Sequence, residues 1–268
     1  MNARIASVFL LAAALTMPSS GQLAAPNAAG VSMGHIHLYV SDVAAHQKFW
    51  TLMGGVPVAN QRLEMIQFPG VMILVRKGET NGGTVGSIVN HIAFTWKDLP
   101  AAMANWKAAG YQIEQSGNPI QGYVLGPDGI RVEFFGDPSL KVPVELNHIH
   151  LYPQDAPAMK AWYTKVFGGV SGTCARVRFP DSVNCVDVPG VSLFIAQSDT
   201  KLEPTVGRSL DHIGFEIRGL PEFLKRLEDQ GIKLTQEMRA SQFSSKMRVA
   251  FITDPWGTKI ELTEGLAP

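Results

Sequence analysis

The chain has no excess charge of either sign: 23 Lys and Arg stand against 23 Asp and Glu over 268 residues. No net field therefore recruits nucleic acid or an anionic membrane surface. A basic stripe and a glycine-rich phosphate loop are also missing, which leaves a small-molecule substrate as the expected partner. Cysteine is scarce, two residues in all. Cys174 and Cys185 flank the turn FPDS of an expected hairpin. In an oxidising compartment they would pair; otherwise they are two separate buried thiols. Spacing does not choose between these, because a disulfide needs a Cα separation that sequence does not supply.

Long apolar runs are confined to the N-terminus. Arg4 gives a short basic region and Ile5 to Met17 an apolar stretch of about thirteen residues. Ser19-Ser20-Gly21 then offers small residues where a signal peptidase would cut. The stretch is too short for a stable bilayer-spanning helix. Residues 1–21 are thus expected to be a secretory signal, and the mature protein to be exported, periplasmic or secreted, with no membrane segment left after cleavage. Residues 22–33, rich in Ala, Pro, Asn and Gly, read as a flexible linker.

What the chain does have is an internal repeat. His35, His91, His148 and His212 sit in the runs GHIHLYV, NHIAFTW, NHIHLYP and DHIGFEI. Seven residues after each comes Asp42, Asp98, Asp155 or Gly219, and nineteen or twenty after each comes Gly54, Gly110, Gly168 or Gly231. A spacing kept four times marks a repeated structural unit. The leading segment alternates, with His35, His37 and Tyr39 on one face and Ile36, Leu38 and Val40 on the other. Helical spacing follows, as in Leu220, Phe223, Leu224 and Leu227, with Asp42, Asp98 and Asp155 suited to cap the helix start and the glycines its end. Extended segments with Pro/Asp/Gly turns close each unit, so each reads as roughly βαβββ.

Residues 137–147 interrupt the pattern with two prolines. They separate an expected first domain, 34–139, holding repeats one and two, from a second, 146–268, holding repeats three and four. HIHLY recurs at 35–39 and 148–152, as a duplicated two-repeat unit would give.

Face alternation selects the chemistry. In GIRVEFF, Glu133 opposes Val132 and Phe134; in GTKIELTE, Glu261 opposes Ile260 and Leu262. Helices must cover the aliphatic faces, so the His and Glu side chains share the other face. Two imidazoles and one carboxylate are then expected per domain: His35, His91 and Glu133 in the first, His148, His212 and Glu261 in the second. Such a set leaves coordination positions open and suits Fe2+, Zn2+, Mn2+ or Ni2+. His37 and His150 point the same way and are candidates to move a proton or to replace a neighbouring ligand. Tyr123 is a candidate to present a phenol to substrate, at the position that Phe251 holds in the second half.

These residues resemble the vicinal oxygen chelate superfamily, which includes glyoxalase I, type I extradiol dioxygenases and bleomycin- and fosfomycin-resistance proteins. The resemblance is carried by HIHLYVSD, HIAFTWKD, HIHLYPQD, GPDGIRVEFF and DPWGTKIELTE, and it spans residues 34–268. It implies an α+β fold of four βαβββ modules paired into two glyoxalase-like domains, a divalent metal, and a small oxygen-chelating substrate. The implied activity is that of a metal-dependent dioxygenase or a lyase/isomerase. The alternative it carries is a metal-independent small-ligand binder like the antibiotic-resistance members. Leu74 and Phe194 stand where glyoxalase I has a fourth ligand, so the resemblance implies a three-ligand set here. Phe251 stands where the extradiol enzymes carry a tyrosine.

Overall fold

The computed structural model describes residues 23–172 and 184–268. The expected signal segment 1–21 and Cys174 lie outside the described residues; Cys185 is fully buried and is not a free thiol. Module one comprises β1 (Val31–Val40), α1 (Val43–Leu52), β2 (Val56–Asn60), β3 (Leu63–Phe68) and β4 (Val71–Lys77). Module two comprises β5 (Val89–Trp96), α2 (Leu99–Ala108), β6 (Gln112–Gln115), β7 (Gln121–Leu125) and β8 (Arg131–Gly136). Module three has β9 (Val144–Leu151), α3 (Ala156–Phe167), β10 (Val170–Ser171), β11 (Asn184–Val188) and β12 (Val191–Ile195). Module four has β13 (Leu210–Ile217), α4 (Leu220–Asp229), β14 (Gln236–Ala240), β15 (Arg248–Thr253) and β16 (Lys259–Glu264).

The helix starts follow the sequence reading. Asp42, Asp98 and Asp155 each accept a hydrogen bond from a backbone N–H three residues on, satisfying a donor the helix cannot pair internally. α4 begins at Gly219, which has no side chain to cap with; Glu264 Oε1 accepts from Gly219 N instead, at 2.8 Å. Gly168 closes α3 in the left-handed conformation, φ 64°, which costs a glycine nothing.

Two eight-stranded sheets result, ordered β14-β15-β16-β13-β1-β4-β3-β2 and β10-β11-β12-β9-β5-β8-β7-β6. The first sheet holds modules one and four, the second modules two and three. This corrects the expected grouping of consecutive modules, 34–139 with 146–268. The physical reason lies in residues 137–143. Asp137 N donates to Trp96 O (2.9 Å) and Lys97 N to Pro143 O (2.9 Å), so the proline-bearing segment is pinned across the end of β5. It delivers β9 directly to the open edge of β5, with which β9 pairs antiparallel. The connections that change sheet are instead 78–88 and 196–209, which run beside one another through Asn81 N to Gly207 O (2.8 Å) and Ser209 N to Gly82 O (2.9 Å). The linker boundary also moves. Val31 to Met33 already belong to β1, and Asn27 Nδ2 ties the preceding segment to Phe167 O (2.9 Å) and Gly168 O (3.1 Å).

One apolar cluster runs through both sheets and takes in the aliphatic faces of the leading strands, Ile36, Leu38, Ile92, Ile149 and Ile213 among them. Burial of such side chains is the main driving force for the fold, roughly 1.5–3 kcal/mol each. A second cluster, Leu63, Met65, Met72, Leu74, Met247, Val249, Phe251 and Leu266, lies apart from it in the first sheet. His46 of α1 serves the architecture. Its Nε2 lies 3.0 Å from Asp128 Oδ2, and Asp128, in the module-two turn, also accepts from Ser41 N (2.9 Å) and Ser41 Oγ (2.6 Å). That clasp fastens the start of module one's helix to module two.

Candidate functional site

The chain has seven histidines, and the six other than His46 gather into two groups, one per sheet. In the first sheet His35 and His37 come from β1, His212 from β13 and Glu261 from β16; one ligand atom from each lies within 4.8 Å of all the others. In the second sheet His148 and His150 come from β9 and His91 from β5, again within 4.8 Å, with Glu133 of β8 beside them. All six expected ligand residues therefore converge, but in other company than expected. The triads are His35–His212–Glu261 and His148–His91–Glu133, because each site straddles the antiparallel seam between two leading strands. Across these seams His37 faces His212 and His91 faces His150. Register shifts beside the histidines, between His37 and Leu38 and between Val89 and His91, mark bulges that re-aim side chains.

The donor spacing fits a metal ion. Glu261 Oε2 lies 3.1 Å from His35 Nε2 and 2.8 Å from His212 Nε2. Glu133 Oε2 lies 3.1 Å from His91 Nε2 and 3.2 Å from His148 Nε2. Ligands bound at roughly 2.1 Å to one ion sit about 3.0–3.4 Å apart. Tautomers sharpen the fit. His212 Nδ1 lies 2.6 Å from Asp211 Oδ1, and when a neutral ring donates there its Nε2 turns a lone pair toward a carboxylate oxygen. Two acceptors meet at that distance only with a cation between them. In the bare protein a proton fills the role: burial works against the charged ring, yet Asp211 and Glu261 raise its pKa above the ordinary value. Burial would likewise raise the Glu261 pKa, and the His212 and His35 imidazoles hold it well below the carboxylate range instead.

The second site repeats the scheme with amides. Asn90 Oδ1 accepts from His91 Nδ1 (2.9 Å) and Asn147 Oδ1 from His148 Nδ1 (3.0 Å), turning both Nε2 atoms toward Glu133. Gln121 Nε2 donates to Glu133 Oε1 at 2.8 Å. His35, preceded by Gly34, has no such neighbour, and its Nδ1 is buried without a partner among the described residues. Packing holds its ring instead: a Cβ at Gly214 would lie 2.0 Å from His35 Cε1, so glycine there leaves the space the imidazole occupies.

His37 and His150 complete the groups. Burial first, and the neighbouring imidazoles second, push the pKa of His37 well below its ordinary value and that of His150 down to about 2. Both rings are neutral donors. Among the described residues neither ring nitrogen of His37 has a partner, and His150 Nδ1 lies 3.2 Å from His91 Nε2. Leu74 and Phe194 pair with His37 and His150 in the adjacent strands, and Phe194 stacks on His148 with centroids 4.2 Å apart. Tyr123 meets His91 edge-on at 5.3 Å, while the Arg131 guanidinium lies 3.5 Å over its ring. Burial and the nearby Glu133 push its pKa up to about 12, so the phenol keeps its proton. Phe251 occupies the matching place against His212, at 5.5 Å.

The first site opens into a cavity of about 340 Å³ lined by His37, His212 and Glu261 together with Leu74, Phe251 and Met247. Five supporting groups, Asp211, Asn90, Asn147, Gln121 and Lys259, escape the sequence reading. Asp211 and Asn90 could have been found, since Asn or Asp precedes His in three of the four repeats. Lys259, whose Nζ lies 2.7 Å from Asp211 Oδ1, carries no local signal.

No protein-family model matches the chain, and no curated protein matches it by sequence. Solved structures do match. A single-substitution mutant of glyoxalase I from Zea mays superposes with a TM-score of 0.69 at 16% identity, covering 88% of this chain and 92% of that one. The unmutated maize enzyme gives 0.66 at 15% identity, with 88% and 92% covered. A candidate dioxygenase from Bacillus subtilis subsp. subtilis strain 168 gives 0.63 at 12% identity, covering 87% and 86%. The chain thus has the vicinal oxygen chelate fold, four βαβββ modules in two glyoxalase-like sheets, with two histidine groups able to hold a metal ion.

Proposed function

We propose that the protein is a metal-dependent enzyme that binds a small substrate through two adjacent oxygen atoms at His35, His212 and Glu261, acting as a dioxygenase or as a lyase or isomerase. The observation that carries this reading is the convergence of His35 Nε2 and His212 Nε2 on one oxygen, Glu261 Oε2, at 3.1 and 2.8 Å. A bound divalent ion such as Fe2+, Zn2+, Mn2+ or Ni2+ would supply Lewis acidity to those substrate oxygens. The chain's own residues do the rest. Asp211, itself held by Lys259, orients His212; burial and the apolar wall of Leu74, Met247 and Phe251 limit water at the site. Neutral His37 would add a fourth ligand, the third nitrogen donor. The group at His148, His91 and Glu133 is proposed as a second metal site.

Protein purified without chelators tests the reading. Retained divalent metal, and a rise in melting temperature when metal is returned to chelator-treated protein, are expected. Neither effect would leave a metal-free ligand binder as the better account. Export is proposed on the basic and apolar residues of the first 21 positions. It predicts a mature N-terminus near Gly21 in the protein recovered outside the cytoplasm.

A further inference from the structure

One half-buried guanidinium of the first cavity has no counter-charge at bonding distance among the described residues. Arg76, near the end of β4, is half-buried and lines the cavity with His37 and Glu261. Its Nη1 makes only a long contact to Val75 O, 3.4 Å, and its carbon lies 4.6 Å from the centre of the Phe243 ring. Nε and Nη2 are buried and have no hydrogen-bond partner among the described residues. Those two nitrogens form the side edge of the guanidinium, the edge that presents two parallel N–H groups to a carboxylate. Leaving such donors buried and unpaired is costly, and a ligand that fills them recovers that cost. Around the same cavity stand Lys77, Arg239 and Lys259, of which Lys259 is engaged by Asp211. Among the described residues Glu261 is the one carboxylate in the lining, and it points at the histidines. Glu64 acts on Arg76 through space, with no ion pair between them among the described residues.

We infer that this cavity takes a small anion, with Arg76 gripping its carboxylate while its two adjacent oxygens lie at the histidine group. Position supports the geometry. Arg76 pairs with Tyr39 and Leu74 with His37, so Arg76 stands two residues along the strand from the metal-site rung, roughly 7 Å away. A single aromatic ring bearing a carboxylate opposite two adjacent hydroxyls spans about that distance, and the cavity volume of about 340 Å³ suits a ligand of this size. In the second sheet the position matching Arg76 is Ala196, so the recognition belongs to the first site alone.

The placing of the two oxygens rests on the metal-site reading; the carboxylate contact does not. Calorimetry on zinc-loaded protein with 3,4-dihydroxybenzoate and its neutral amide, 3,4-dihydroxybenzamide, tests the whole. The acid is expected to bind at least about tenfold tighter, a preference that Arg76→Gln removes and Arg76→Lys, which keeps the charge without the fork, only reduces. Equal binding of acid and amide, or a preference that survives in Arg76→Gln, would overturn the inference. Benzoate against benzamide on metal-free protein reads the carboxylate contact without the ion. A zinc titration of the same samples separates the two failures: zinc bound with no acid preference sinks the anion site, whereas an Arg76-dependent preference with no zinc bound sinks the metal reading.

Discussion

The two histidine groups are the same design carried out with different supporting atoms. Each has three imidazoles, one glutamate and an aromatic ring set edge-on to the central histidine, with a cation over that ring: Lys259 over Phe251, Arg131 over Tyr123. They part at the atoms behind the ligands. His212 is backed by a carboxylate, Asp211, whose pKa is driven down to about 2 by His212 and Lys259 against the opposing effect of burial. His91 is backed by the neutral amide of Asn90. Glu133 has Gln121 on its second oxygen, where the first site has Val249 and a cavity. Aromatic rings stack on His148 and His150 in the second site. The difference teaches that a repeated ligand set can be tuned by one residue beside each ligand, toward a carboxylate-backed site in one sheet and an amide-backed, ring-stacked one in the other.

The sharpest way to break the comparison is to remove one carboxylate at a time. If the proposed metal sites hold, Glu261→Gln should lower metal affinity at the first site by more than about 100-fold, while Glu133→Gln does so at the second site only. Metal content of each variant, measured after gel filtration, decides it; equal losses from both variants would mean that the sites are not independent. Exchanging the supporting residues comes next. Asp211→Asn should weaken metal binding at the first site about 10- to 100-fold, and Asn90→Asp should strengthen it at the second, both read by competition with a chromophoric chelator.

A steric change should give a somewhat smaller effect. Gly214→Ala places a Cβ into the His35 ring and should cost about 2 kcal/mol of stability together with loss of first-site metal. The corresponding position in the second sheet, opposite His148, is already Ala93. Urea unfolding of the variant with and without metal checks both parts.

The smallest effect concerns the clasp between modules one and two. Burial lowers the His46 pKa below its ordinary value of 6.5, with Asp128 only partly opposing the shift. Below that value the unfolded chain binds the proton more readily than the folded one, so the stability due to neutral His46 is complete above 6.5 and falls away as pH drops. His46→Gln should therefore be less stable than the parent by about 1 kcal/mol near pH 7.5, and the gap in melting temperature should narrow on going to about pH 5.5. A gap that widens on acidification would reverse the assignment.

Much of this architecture is legible in local pattern. Alternation in HIHLYV assigns His35 and His37 to one face of a strand whatever the strand pairs with, and the spacing of Asp42, Asp98 and Asp155 marks three helix starts that the backbone donors then confirm. The ligand residue types follow from the same alternation in GIRVEFF and GTKIELTE. Partnership was not legible. His35 meets His212, 177 positions away, and nothing in either heptapeptide distinguishes that partner from His91. Arg76 and Lys259 acquire their roles only from what lies across the sheet.

By itself the sequence determined four modules, the buried and polar face of each strand, and the six side chains that turn inward, because these depend on residue type and a period of two. The tertiary structure alone decided which modules share a sheet, and hence which imidazoles share a glutamate. Both groupings leave every local preference satisfied. The choice falls to the edges of the leading strands, and residues 137–143, fastened over the end of β5, set β9 against that edge.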